Sequence, residues 1–251
     1  MLPEASVPAG YAPGAGLLRE RVILVTGAGG GIGSATARAC AAHGASVVLL
    51  GRNVKKLEKV YDAIEAAGGP TPAIYPMNLA GATWNDMAEL YAVIEREFGR
   101  LDGLVHAAAH FTVFSPLSDL APKDWVEGLQ VNLTAAYTLT RLALPLLAQR
   151  DDASVVFLTD PSGRDNLPYR GGFGVAKYAV EGMIKSWASE LEPYPQLRLN
   201  AYDPGPLRTF LRLQGYPGED AQQVPEPDSA MPGMLYLLGS DSRGQTGQRF
   251  G

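Results

Sequence analysis

Arg21-Val-Ile-Leu-Val-Thr26-Gly-Ala-Gly-Gly-Gly-Ile-Gly33 is the stretch from which the fold can be read. Its first half, RVILVT, is a short β-branched apolar run, the pattern of a strand buried on both faces. Its second half is glycine-rich and opens onto a helical pattern over about 32–43, with Gly44 placed to cap it. Gly27, Gly31 and Gly33 are spaced GxxxGxG between strand and helix. Missing side chains there permit a tight turn, close approach of a pyrophosphate and snug helix packing. The free N–H groups and dipole at the helix start suit the anion, with Ile32 beside them. The alternative reading of the glycines is a flexible turn that holds nothing.

Outward from this turn, strand-like and helix-like stretches alternate along the whole chain, the signature of parallel βα units. Strands are predicted over 46–50, 73–77, 101–106, 154–159 and 197–202, and helices over 54–67, 83–98, 122–149 and 172–191. A short last strand fits after Thr246-Gly-Gln. The expectation is an α/β fold: one Rossmann-type domain over 17–251, a doubly wound parallel sheet of about seven strands with helices on both faces. Residues 1–16, punctuated by Pro and Gly, read as a flexible arm. Residues 206–228, rich in Pro, Gly, Gln and acidic groups, read as a substrate loop or lid.

Composition excludes several functions. A net charge of −5 leaves no basic footprint for neutralising phosphates along a nucleic acid. No apolar run approaches the roughly 18 residues of a membrane span, and residues 1–16 lack the basic start of a signal peptide. Cys40 is the one cysteine, so no intrachain disulfide forms, and a cytoplasmic location is expected. His43, His106, His110 and Cys40 are scattered without metal-ligand spacing, so no metal site is expected.

At the end of the second predicted strand an NAD site would offer a carboxylate to the ribose hydroxyls, but this chain has Gly51-Arg52-Asn53. An arginine suits a 2′-phosphate, which makes NADP(H) the expected cofactor in preference to NAD(H). The alternative for Arg52 is a solvated charge at a helix start.

With TGxxxGIG placed, the chain resembles the short-chain dehydrogenase/reductase family over essentially its whole length. Within that family it is similar to the bacterial YciK-like oxidoreductases, through Leu-Leu-Gly-Arg-Asn53, Leu-Pro-Leu-Leu147, Lys-Tyr-Ala-Val-Glu-Gly-Met183 and Asp-Ser-Arg243. The resemblance implies a nicotinamide cofactor and homodimers or homotetramers built on the long helices. It makes Asn132 the helix asparagine that shapes the active-site water network. Lys177 becomes the lysine of YxxxK, which holds the nicotinamide ribose and acidifies the tyrosine. Pro204, Gly205 and Thr209 match PGxxxT beside the nicotinamide. On the adenine side Asn78 stands for the family aspartate, with Leu79 next to it, and Ala107 lies in His-Ala-Ala-Ala109 where the family has NNAG.

The departures concern chemistry. Four residues before Lys177, where the family carries its proton-donating tyrosine, stands Phe173; thirteen positions earlier, where the family serine polarises the carbonyl, stands Asp160. Phenylalanine has nothing to ionise, so the 10²–10⁴-fold that general acid–base catalysis typically contributes is missing at this position. A carboxylate beside the Lys177 ammonium stays charged at neutral pH, donates poorly and repels a developing oxyanion. Tyr169, Ser162 and His110 are nearby groups without the family spacing, Tyr169 being the fallback acid. Two readings follow: an oxidoreductase of weak or altered activity on an unknown carbonyl or alcohol, and a non-catalytic nucleotide-binding scaffold.

Overall fold

The computed structural model describes residues 1–165 and 167–251. Strand β1 (Glu4–Ala5) is followed by β2 (Val22–Thr26), α1 (Gly31–Ala42), β3 (Ser46–Gly51), α2 (Val54–Ala66), β4 (Ala73–Pro76), α3 (Trp84–Phe98) and β5 (Gly103–His106). The second half runs α4 (Pro122–Leu129), α5 (Ala135–Leu147), β6 (Ala153–Leu158), α6 (Gly171–Glu190), β7 (Leu197–Tyr202), α7 (Phe210–Gly215), α8 (Met231–Leu238) and β8 (Arg249–Phe250).

The strands form one eight-stranded sheet in the order β1-β8-β7-β6-β5-β2-β3-β4. Every pairing is parallel. From β2 the chain moves outward to β3 and β4, then returns to β5 on the other side of β2. That reversal is a topological switch point, where a crevice opens beyond the carboxyl ends of the strands.

Successive residues of a strand face opposite ways, and β2 shows the consequence. Leu24 packs with Leu50, Leu104, Met87 and Ile184 on one side, while Ile23 and Val25 pack with Leu49, Leu57 and Leu235 on the other. Two cores thus sandwich the sheet, which is why the strand sequences are apolar almost throughout. Helix ends follow from local chemistry: Thr83 and Asp86 form a capping box at the start of α3, and Gly99 ends it at φ 66°.

Five differences from the sequence expectation have physical causes. The predicted 122–149 helix is two helices joined by a π-helical turn, Gln130–Thr134, in which Ala135 N–H donates to the Gln130 carbonyl; such single turns recur inside α-helices at functional sites, and this one holds the buried Asn132. The sheet has eight strands rather than about seven because β1 joins its edge. The 1–16 segment, expected as a flexible arm, is tied down there: Leu2 is buried and Arg249 Nη1 donates to Glu4 Oε1 at 3.2 Å. A two-residue strand carries no period, and its partner is far away in sequence. Within 206–228, α7 forms with Thr209 as its N-cap. Helix α8 is buried at every position but Pro232 and is apolar all round, which leaves no periodic signal.

Candidate active site

The glycine turn follows β2 directly. Gly27 adopts φ 65°, and a Cβ on it would lie 2.7 Å from Ala108 Cα; a Cβ on Gly31 would lie 2.8 Å from Thr209 Cγ2, and one on Gly33 would run into the Gly27 carbonyl. Each glycine is therefore required by a close approach of backbone or loop, and the turn presents amide groups at the start of α1 without side chains in the way. Thr26 Oγ1 locks the facing loop after β5, accepting from Ala107 N and Ala108 N at 3.1 Å each and donating to Val105 O at 3.2 Å. That clamp holds the loop where the resemblance expected an asparagine and a glycine. Its alanines carry no strain, since among the described residues only Glu20 and Tyr169 are non-glycines at positive φ.

Beyond the turn lies a cleft of about 450 Å³. Of the residues named from the sequence, Ile32, Ala107, Asp160, Ser162, Phe173, Lys177, Pro204, Gly205 and Thr209 line it. Lys177 is buried, its Nζ donating to the Leu158 carbonyl at 2.6 Å and standing 5.2 Å from the centroid of the Phe173 ring. Burial lowers the pKa of this ammonium, while the Asp160, Asp203 and Glu181 carboxylates oppose the shift. The lysine that elsewhere would face a phenol here faces a π-surface. Asp160 accepts from Ser162 N at 2.8 Å and so caps the short turn after β6. The Ser162 hydroxyl is itself buried without a partner among the described residues.

Asn132 is buried and grips the backbone of His110 from both sides: Oδ1 accepts from His110 N and Nδ2 donates to His110 O, each at 2.8 Å. With Thr26, His106, Leu79 and Lys177 it encloses a second, far smaller cavity of about 10 Å³, the room of a single water. His106 stacks on Phe157 and pairs with Thr140 Oγ1 at 2.8 Å; burial first, and the Lys177 charge second, push its pKa from 6.5 down to about 3.

The remaining expected residues lie elsewhere. Arg52 is exposed at the end of β3 with no carboxylate partner among the described residues, and Asn53 caps α2 by accepting from Lys56 N at 3.1 Å. Asn78 is exposed after β4, accepting from Ala80 N at 3.3 Å. Tyr169 is 59% exposed, and neither it nor His110 lines the cleft. Tyr169 points out because its φ of 65° reverses the chain just before α6. Sequence reasoning missed the far wall of the cleft, formed by Phe111, Phe114, Arg164, Arg170, Arg212 and Tyr216. The irregular composition of 206–228 marks the loop as a lid but says nothing of what it faces.

Among the described residues no helix is long and apolar enough to cross a membrane, and no three His, Cys, Asp or Glu side chains gather as metal ligands do.

The family described as short chain dehydrogenase matches this chain over residues 21–218. The oxidoreductase YciK of Escherichia coli K12, itself uncharacterized, is 38% identical over 240 residues, 96% of this chain and 94% of its own. A short chain dehydrogenase structure from Pseudomonas syringae superposes with a TM-score of 0.94 at 46% identity, covering 98% of this chain and 99% of that one. Another, from Escherichia coli CFT073 in complex with NADPH, gives 0.91 at 39% identity over 95% of this chain and 98% of that one.

Proposed function

This chain belongs to the short-chain dehydrogenase family, and on that premise we propose that it is an NADP(H)-dependent oxidoreductase acting on a carbonyl or alcohol, with hydride transfer weakened at the proton-delivery step. One observation carries this reading: a glycine cradle too tight for any side chain opens onto a cleft whose buried Lys177 stands against the ring of Phe173.

The residues present fit a dinucleotide. Gly27, Gly31 and Gly33 leave the amides of the turn free for a pyrophosphate. Arg52, without a carboxylate partner among the described residues, is placed for a 2′-phosphate, and the 39%-identical relative was crystallised with NADPH. Asn78 and Leu79 flank the adenine side, and Ala107, Pro204, Gly205 and Thr209 the nicotinamide side. Bound there, NADP(H) supplies or accepts the hydride.

Reduction of a carbonyl adds a hydride to carbon and a proton to oxygen. Lys177, pinned by the Leu158 carbonyl, holds positive charge where oxygen becomes anionic. Phe173 covers that charge but gives no proton. Asp160 spends one oxygen on the Ser162 amide and brings negative charge to the place where the family polarises the carbonyl. The proton therefore comes from water in the cleft, which is slower than delivery by a positioned acid.

A second reading, a nucleotide-binding scaffold without turnover, is favoured by the clustering of changes at Phe173 and Asp160 while the glycines are kept. Exposed Trp125, Val126 and Tyr137 on α4 and α5 support assembly as a homodimer or homotetramer, and the lone buried Cys40 supports a cytoplasmic setting.

Titration with NADPH and NADH, followed by turnover of a carbonyl panel, tests the proposal. NADPH is expected to bind at least about tenfold tighter than NADH, a difference of about 1.4 kcal/mol, and Arg52→Asp to erase the preference. Turnover is expected to vanish in Lys177→Ala. Equal binding of both nucleotides removes the NADP assignment, no binding refutes the function, and binding without turnover selects the scaffold.

A further inference from the structure

The cleft has a charged end that the reaction chemistry leaves unused. Three arginines line it. Arg164 Nη1 donates to Asp203 Oδ2 at 2.6 Å, and Arg212 makes two bonds of 2.7 Å to Glu219. Arg170 has no carboxylate among the described residues. Its one side-chain hydrogen bond there runs from Nη2 to the neutral Tyr216 hydroxyl at 2.7 Å. Its guanidinium stands 4.1 Å from the centroid of Phe114, and its Nε is buried without a partner. A half-buried cation lacking a counter-charge is costly, and unfilled donors in a cleft wall point to a ligand that fills them.

The backbone is bent to put Arg170 there. It sits between Tyr169 at φ 65° and Gly171 at φ 53°, a left-handed pair pinned by the Ser115 N–H on the Tyr169 carbonyl at 3.0 Å. A non-glycine residue in that region is strained, and such strain concentrates at functional sites. One turn on, Gly174 leaves room for the side chain: a Cβ on it would lie 2.7 Å from Arg170 Cβ and 3.8 Å from Ser162 Cβ. The Ser162 hydroxyl, also unpartnered, thus flanks the same corner.

From Arg170 an aromatic wall leads back to the reacting end. Phe114 meets Phe111 edge-on at 4.9 Å, and Phe111 meets Phe173 at 5.7 Å. Arg170, the N-cap of α6, precedes Phe173 and Lys177 at helical spacing. At 1.5 Å per residue, the seven positions from Arg170 to Lys177 set their backbones about 10 Å apart along the helix axis.

We propose that Arg170 binds a carboxylate, so that the substrate is an oxo or hydroxy acid whose carboxylate is separated from the reacting carbon by an apolar body on the order of 10 Å long. A planar guanidinium held by an aromatic face and a phenol matches a carboxylate edge-on, and Phe111 and Phe114 match the apolar body. Arg170 is a specificity-determining residue here, outside the proton chemistry. The assignment of the substrate as a redox partner rests on the oxidoreductase reading; the carboxylate site does not.

Calorimetric titration with 9-oxodecanoate and its methyl ester, with and without saturating NADP⁺, tests this. On the unaltered chain the acid is expected to bind at least about tenfold more tightly than the ester. Arg170→Gln is expected to bring the acid down to the ester's affinity without changing the ester, and Arg170→Lys to keep part of the preference. Equal binding of acid and ester, no binding of either, or a preference that survives Arg170→Gln overturns the proposal. The acid–ester pair on the unaltered chain decides the matter even if the variants misfold. NADPH titration of the same samples separates the two readings: acid preference without NADPH binding sinks the function alone, and NADPH binding without acid preference sinks the carboxylate site alone.

Discussion

Replacing Phe173 by tyrosine restores a phenol where Lys177 already waits. The ammonium lies 5.2 Å from the ring centroid, which sets the scale of its separation from the new oxygen. At an effective dielectric of about 20, a charge pair about 5 Å apart is worth about 3 kcal/mol. That is enough to lower a phenol's pKa well below its ordinary value, toward the operating pH of a general acid. Asp160 acts against it, since a carboxylate at the same end of the cleft destabilises a phenolate. Phe173→Tyr alone should therefore raise NADPH-dependent carbonyl reduction by about tenfold, and Phe173→Tyr with Asp160→Ser by about 10²-fold or more, within the usual range for acid–base catalysis. Single-turnover oxidation of NADPH against a carbonyl panel, from pH 6 to pH 10, reads both the gain and its dependence on the introduced phenol. If both variants fold and bind NADPH but neither exceeds the unaltered chain, proton delivery is not what limits this site.

Two further perturbations follow from the geometry. Gly33→Ala places a methyl group against the Gly27 carbonyl, so the turn must open; NADPH affinity in a fluorescence titration should fall by about tenfold or more, and an unchanged affinity would show that the cradle is not the phosphate site. His106, held neutral by burial with its pKa pushed down to about 3, resists protonation in the fold and accepts it when unfolded. Its contribution is full above 6.5 and is lost as pH falls toward 3, so denaturation midpoints should drop with acid in that window and His106→Gln should flatten the slope; a slope identical in both proteins argues that His106 titrates freely.

Much of the fold was legible because its signals are local. The 21–33 stretch, the alternation of apolar runs with amphipathic ones, and the glycines at helix ends each follow from contacts within a few residues. The family was legible for the same reason, since TGxxxGIG and the Lys177 helix are compact motifs. What escaped depends on contacts between distant residues. β1 exists only because Arg249 and Phe250 are there to pair with it. The π-helical turn at Asn132 answers to the His110 backbone, and α8 is buried at every position but Pro232. The far wall of the cleft was illegible for a related reason: Arg170 reads as an ordinary pre-helix arginine until Tyr216, 46 residues later, is seen to hold it.

The edge of the sheet couples two distant parts of the molecule. β1, the first strand of the chain, can pair only with β8, and Glu4 and Arg249 are 245 residues apart. Arg249 also closes on the buried Glu181, which accepts from Thr159 at 3.1 Å beside the cleft. The edge strand and the carboxylate behind the cleft thus share one partner, since Arg249 reaches Glu4 on one side and Glu181 on the other. Loss of Arg249 would therefore loosen the outermost strand and the wall of the cleft together, although the two are far apart along the chain.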